Sequence, residues 1–373
     1  MRTAAMSRFH ANPVAWFVSL LVLACLSCRS MGPSTVPRDR IDYVTSIGDS
    51  WKQQTLLNVV RLRYGDVPIF LEVTQVIAGY QRQSTVGAGV TAGKFPSTAG
   101  LLSPFSVSGS AAATDTYTDR PTLMYSPLMG VDFLKALMTP IPPSAVLFLL
   151  QSGYSADLVM PMVLDSISGL QNESKRGVPR PADPRFARLT ALMREAQLTG
   201  TLQFRIERPK GGPETSVVVF GPSRDPQVAS KGQEIRSLLG LRPDARELNV
   251  YYGGYSGKND EIDMTTRSML QIMLELSAIV RVPESDVAQG RAAPGLVEPG
   301  LTGGAQVPIP ITILSGSEAP KDAYVAVQYG GRWFWVPGTE IRSKYTFGFV
   351  MLLFSISDTG VKGSKPVVTV PAQ

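Results

Sequence analysis

The residues best suited to nucleophilic or metal chemistry sit together at one end of the chain. The single histidine is His10, and the two cysteines are Cys25 and Cys28, all within the first 28 of 373 residues. If that stretch is a targeting segment, the folded body keeps none of them. Serine–histidine and cysteine–histidine catalysis, zinc and iron–sulfur ligation and stabilising disulfides are then unavailable to it. The expectation is a body that is not an enzyme, needs no cofactor and has no metal site.

Other groupings suggest chemistry only by outline. Gly48-Asp49-Ser50 matches the opening of a GDS-type esterase signature, but it lacks a histidine partner and falls inside a helical pattern rather than on a strand-to-helix turn. Gly253-Gly254-Tyr255-Ser256-Gly257-Lys258 is one residue short of a phosphate loop, and Asn259 stands where a Ser or Thr would hold magnesium. Asp260, Glu261 and Asp263 fit calcium binding or acid–base work, and equally a favourable helix start. Trp333 and Trp335, with Arg332, could form a stacking platform for a sugar or peptidoglycan. Asn172-Glu173-Ser174 is a glycosylation sequon that has no meaning in a bacterial host. A hydrolase working through carboxylates alone would need a pair that no spacing singles out.

The N-terminus is read more firmly as an address. Arg2 and Arg8 precede the apolar run Trp16–Ala24, the layout of a secretory signal peptide. Val14–Ser27 supplies 14 residues, whereas a membrane-spanning helix needs about 20. Val22-Leu23-Ala24-Cys25 resembles the lipobox of bacterial lipoproteins, in which the cysteine is acylated and becomes the first mature residue. Cys25 is the expected lipid attachment, with Cys28 as the competing site. The resemblance implies several acyl chains, and several chains anchor a protein stably where one does not. No Asp follows Cys25 to suggest retention in the inner membrane, so the expected address is the periplasmic side of the outer membrane. The chain has 36 Lys and Arg against 30 Asp and Glu, without a basic run, which argues against a nucleic-acid partner.

The elements that would position these residues read as α+β, with antiparallel hairpins packed against helices. Residues 1–24 are the signal peptide and 25–40 the anchor and tether. Residues 41–174 form an N-terminal region, 175–184 a Pro/Arg-rich linker and 185–373 a C-terminal region. Within the first region a helix over Asp42–Tyr64 precedes a strand over Ile69–Ile77. Residues 84–116 are rich in Gly, Ala and Ser and nearly uncharged. Their alternation predicts a hairpin with a turn over Lys94–Gly100, one faintly apolar face and one polar face. Helices follow over Leu128–Leu137, Pro143–Ser152 and Ala156–Leu170. The C-terminal region should hold a helix over Phe186–Ala196, a hairpin of Thr201–Glu207 with Thr215–Phe220 across Lys210-Gly211-Gly212, and a helix over Pro226–Leu239. A strand over Glu247–Tyr252, a long helix over Ile262–Val280 and a mobile loop at 286–305 come next. The chain should end with a hairpin of Tyr324–Tyr329 and Arg332–Val336 on a Gly330-Gly331 turn, then a buried helix over Glu340–Ser357.

Ser50-Trp51-Lys52-Gln53-Gln54, Leu57–Pro68 and Phe70-Leu71-Glu72-Val73 resemble a family of uncharacterised lipoproteins of Gram-negative bacteria. So do Arg120-Pro121-Thr122, Tyr125–Leu128, Thr139–Pro143, Gln151-Ser152-Gly153, Phe354-Ser355 and Thr359-Gly360. The resemblance implies the address and a whole fold, and it lends no catalytic residue. Two functions are expected from this reading. One is a lipid-anchored structural or interaction component of the envelope, touching the outer membrane and other envelope proteins. The other is a protomer of an oligomeric pore or export complex that contributes the 84–116 hairpin.

Overall fold

The structure, a computed structural model, describes residues 32–77, 79–94, 105–175, 180–207, 215–295, 309–357 and 368–371. His10, Cys25, Cys28 and the whole of the expected signal segment lie outside these residues. The chain divides into two compact units, Met1–Trp51 and Lys52–Gln373. The first contributes the exposed turns of helix α1 (Gly32–Arg63), which begins inside the expected tether. Pro37 falls in its second turn, where the missing N–H leaves the carbonyl of residue 33 without its helical partner. The rest of α1 belongs to the body, Lys52–Gln373, where Leu56, Val59 and Val60 are buried.

Next come β1 (Phe70–Ile77), β2 (Tyr80–Lys94), β3 (Phe105–Asp119) and β4 (Thr122–Leu128). The expected hairpin is therefore the outer part of a longer one, and β4 takes the residues before the expected 128–137 helix. That helix, α2, starts at Val131. The helix α3 (Pro143–Gln151) is core as expected, burying Val146, Leu147, Leu149 and Leu150.

The expected helix over 156–170 is only half helical. Helix α4 (Ala156–Val163) gives way to β5 (Leu164–Ile167) and β6 (Leu170–Gln171). Ser168 (φ 43°) and Gly169 (φ 80°) turn the chain between these two strands, a left-handed pair that no helix tolerates. Asn172 is buried there and donates to the carbonyls of Pro161 and Leu164, at 2.9 and 2.7 Å.

Helices α5 (Pro184–Leu198) and α6 (Pro226–Leu238) both open on an Asp-Pro pair. Asp183 and Asp225 each accept a backbone N–H, and the proline takes the first helical position. Strands β7 (Leu202–Glu207), β8 (Thr215–Phe220) and β9 (Glu247–Tyr252) stand as expected. The expected 262–280 helix instead splits into β10 (Glu261–Thr266) and α7 (Met269–Ile279). Ser268 and Gln271 form a capping box that sets the start of α7. The chain continues through α8 (Glu284–Ala288), β11 (Leu314–Gly316), β12 (Ala323–Tyr329), β13 (Arg332–Pro337), α9 (Ile341–Ser357) and β14 (Val368–Pro371). Gly330 and Gly331 both have positive φ, as the expected tight turn between β12 and β13 requires.

The protein is α+β. A six-stranded sheet in the order β6-β5-β10-β9-β8-β7 is antiparallel except for the β10–β9 pair, and α3 packs across β7, β8 and β9. This sheet draws strands from both sides of the expected 175–184 linker. Arg180 is tied to Asp165, at 2.6 Å, and Ala182 is buried. Residues 176–179 of the linker lie outside the described residues, as does the 210–212 turn.

Buried polar groups join the parts. Arg267 donates to the carbonyls of Pro161, Met162 and Glu173, and burial depresses its pKa despite the nearby carboxylate of Glu275. Glu275 accepts the backbone N–H of Lys175 at 2.9 Å. Tyr64, at the end of α1, donates to Asp286 at 2.8 Å, and its ring stands edge-on to the buried Phe334 of β13.

Burial, and then the bond to Asp286, hold the Tyr64 phenol well above the ordinary tyrosine value of 10.0. A raised pKa means that the folded state keeps its proton longer than the unfolded chain does. The contribution is complete below about pH 10 and is lost as the pH rises toward the folded value. In urea denaturation, Tyr64→Phe should cost about 1 kcal/mol at neutral pH and flatten the loss of stability above about pH 10. An unchanged alkaline slope would contradict this assignment.

Candidate assembly interface

A pair of side-chain amides clamps the backbone at the root of the long hairpin. Gln54 and Asn58 are one helical turn apart on α1, and Ile69 and Leu71 are two residues apart along an extended segment. A rise of 1.5 Å over four helical residues gives about 6 Å, and two strand residues give about 6.7 Å. The spacings match, and both amides bond like a neighbouring strand. The Asn58 side chain accepts from the Ile69 N–H at 2.9 Å and donates to the Ile69 carbonyl at 2.7 Å. The Gln54 side chain does the same for Leu71, at 2.6 and 3.0 Å.

This clamp covers the outer edge of β1. On the other side, β4 is covered by β14, so the root is a three-stranded sheet, β1-β4-β14. One irregularity, between Val73 and Gln75, lies within the root, and Thr74 donates to the Met124 carbonyl there. Beyond it the register runs without a shift from Gln75–Met124 to Lys94–Phe105, bridged at the β2 start by the Arg120 N–H on the Gly79 carbonyl.

Along the arm the covers stop. β2 and β3 pair only with each other among the described residues, for 15 residues each. At about 3.4 Å per residue the arm is about 50 Å long. A lone two-stranded hairpin is marginal in water, and proteins usually blunt exposed edges with Pro, charge or bulges. Neither strand contains Pro, and their charged residues, Arg82, Lys94, Asp115 and Asp119, cluster toward the ends.

Parity divides the arm into two faces. Gln81, Gln83, Thr85, Gly87, Gly89, Thr91 and Gly93 share one with Ser106, Ser108, Ser110, Ala112, Thr114, Thr116 and Thr118. Described members of this polar face, Gln81 through Gly89 and Ser110 through Thr116, are exposed. Val86, Ala88, Val90 and Ala92 occupy the other face, opposite Ala113, Ala111, Gly109 and Val107. Every charged position of β2 and β3 falls on this second face, toward its two ends. The expected Lys94–Gly100 turn lies, past Lys94, outside the described residues.

The other candidates are placed in structural roles or apart from one another. Gly48-Asp49-Ser50 lies within α1. The Gly253–Asp260 loop returns the chain to start β10 parallel to β9, and Gly257 adopts φ 75° within it. Asp263 is buried and accepts from the Ser256 N–H and hydroxyl at 2.6 and 2.7 Å, while Glu261 pairs with Lys258 at 2.8 Å. These carboxylates therefore lie on a strand and hold its loop, not at a helix N-terminus. Among the described residues no three His, Cys, Asp or Glu side chains converge as a metal site would require. Arg332, Trp333 and Trp335 lie on β13, the middle strand of β11-β13-β12. Both tryptophans are half-buried, and a Cβ on Gly316 would come within 3.2 Å of the Trp335 ring.

Asn58→Leu keeps the volume but strands the N–H and carbonyl of Ile69. A loss of about 2–3 kcal/mol is expected, larger than for the more exposed Gln54→Leu, with faster amide exchange at Ile69 and Leu71. Equal losses for the two variants, or unchanged exchange, would contradict the clamp. Comparison with protein-family models, curated proteins and solved structures finds no match for this chain.

Proposed function

We propose that this protein is a lipid-anchored component of the Gram-negative outer membrane, held through Cys25 on the periplasmic side, and that it acts by assembling with other envelope proteins rather than by catalysis. The observation that carries the reading is the arm. The fold covers both strand edges at the root, then presents about 50 Å of unblunted edge where a protein working alone would be expected to hide it. The lipobox-like Val22-Leu23-Ala24-Cys25 supports the membrane address. Among the described residues no helix is long and apolar enough to cross a membrane.

Metabolic labelling with a clickable fatty acid tests the anchor. The full-length protein should incorporate label and sediment with outer membranes. Cys25→Ala should lose the label, whereas Cys28→Ala should keep it. Mass spectrometry showing an unmodified mature N-terminus would overturn the reading.

A further inference from the structure

The geometry points to a specific occupant for the arm's open edges, a second copy of the same arm. We infer that several copies close into a shared transmembrane β-barrel whose water-facing wall is uncharged. This rests on the outer-membrane reading above and deepens it by naming the assembly and what it passes.

Three observations converge. The two open edges are equal in length, 15 residues of β2 and 15 of β3, and antiparallel to one another. The β2 edge of one copy can therefore continue the ladder on the β3 edge of the next, a head-to-tail contact that forms a ring when it closes. Closure removes every edge, which is the only way an open backbone can be tolerated in lipid.

The second observation is height. On the less polar face, charged positions occur at the Ser84–Asp115 pair and again at Lys94–Phe105, with only Val, Ala and Gly at the levels between. That interval is about 34 Å along the strand at 3.4 Å per residue. At a barrel tilt of about 40° it spans about 26 Å, close to the roughly 25 Å apolar band of outer-membrane barrels. Tyr117 on the root side and Phe105 on the tip side hold the places of the aromatic girdles.

The third is the opposite face. Its fourteen positions from Gln81 to Gly93 and from Ser106 to Thr118 carry hydroxyls, amides, glycine and one alanine, and no charge. All four Lys, Arg and Asp positions within β2 and β3 lie on the membrane side. A lumen lined this way has no ring of fixed charge to select ions by sign. It would pass neutral hydrophilic solutes, and cations and anions nearly alike, limited by width.

Since residues 29–373 contain no cysteine, single cysteines can be read cleanly in a Cys28→Ser background. The lipidated full-length protein, purified in mild detergent, should run as a multimer and give step conductances in planar bilayers. Under a KCl gradient the K⁺ to Cl⁻ permeability ratio should lie within about threefold of one. In proteoliposomes, Thr85→Cys and Ser110→Cys should react with a membrane-impermeant maleimide, with loss of conductance, while Ala88→Cys and Ala111→Cys should be protected. Gly89→Asp should still conduct and shift toward cations. Val90→Asp should lose conductance while its body melts as the wild type does. A lipidated, outer-membrane protein that is monomeric, non-conducting and equally labelled on both faces would overturn the barrel and leave the anchor reading standing. Conductance with more than about tenfold ion preference would overturn the uncharged wall. Absence of acyl chains would instead refute the reading on which both rest.

Discussion

Every backbone N–H and C=O on a strand edge needs a partner, and the way this chain meets that need organises the rest of it. At the root, the edge of β1 meets two amide side chains set one helical turn apart, and β4 meets β14. The clamp ties helix α1 to the first strand of the long hairpin. A helix face carrying Gln and Asn at that spacing behaves as a surrogate strand. It ends where β1 leaves the helix, so the arm beyond begins with both outer edges bare.

Within the body, helices pack on one another and on the sheets. Helix α7 lies against α2 and α9, α9 packs on β13, and α3 covers the six-stranded sheet. Tyr64 donates to Asp286 of α8. The C-terminal hairpin returns to the end of α1 where the rings of Tyr329 and Phe334 pack on Tyr64 and where Tyr329 donates to Asp66. Burial and that bond raise the Tyr329 phenol pKa as well. Two tyrosine–aspartate bonds thus fix the turn from which the hairpin strand departs. Buried Arg267 and Glu275 hold the segment around 173–175 against α7, and the body is continuous across it. These charged groups answer one another and the backbone, which accounts for their burial without any reactive role.

Much of this was legible in the residues, and the failures have local causes. Alternation of small residues identified the 84–116 hairpin, and the two glycines at 330–331 fixed the last turn. The helix expected over 156–170 failed because apolar spacing cannot tell a short buried strand from a helix, although Ser168-Gly169 marked the turn. The helix expected over 262–280 failed for the same reason, and the Ser268–Gln271 capping box marked its true start. Helix α1 began ten residues early because Ser- and Pro-rich composition was read as a tether. The clamp by Gln54 and Asn58 was not legible, since a pair of amides on a helix means nothing until the strand beside it is known. The root strands β4 and β14 were missed because each owes its form to a distant partner.

Amide hydrogen exchange of β2 and β3 in the native membrane tests the central claim most directly. In an isolated ribbon the inward-facing amides of each strand are bonded, while alternate amides face an open edge and exchange fast. In a closed barrel both sets are bonded. The account expects uniform protection from Gln81 to Gly93 and from Ser106 to Thr118, matching β8 and β9 of the body. Protection alternating residue by residue, with every second amide exchanging within seconds, would contradict it.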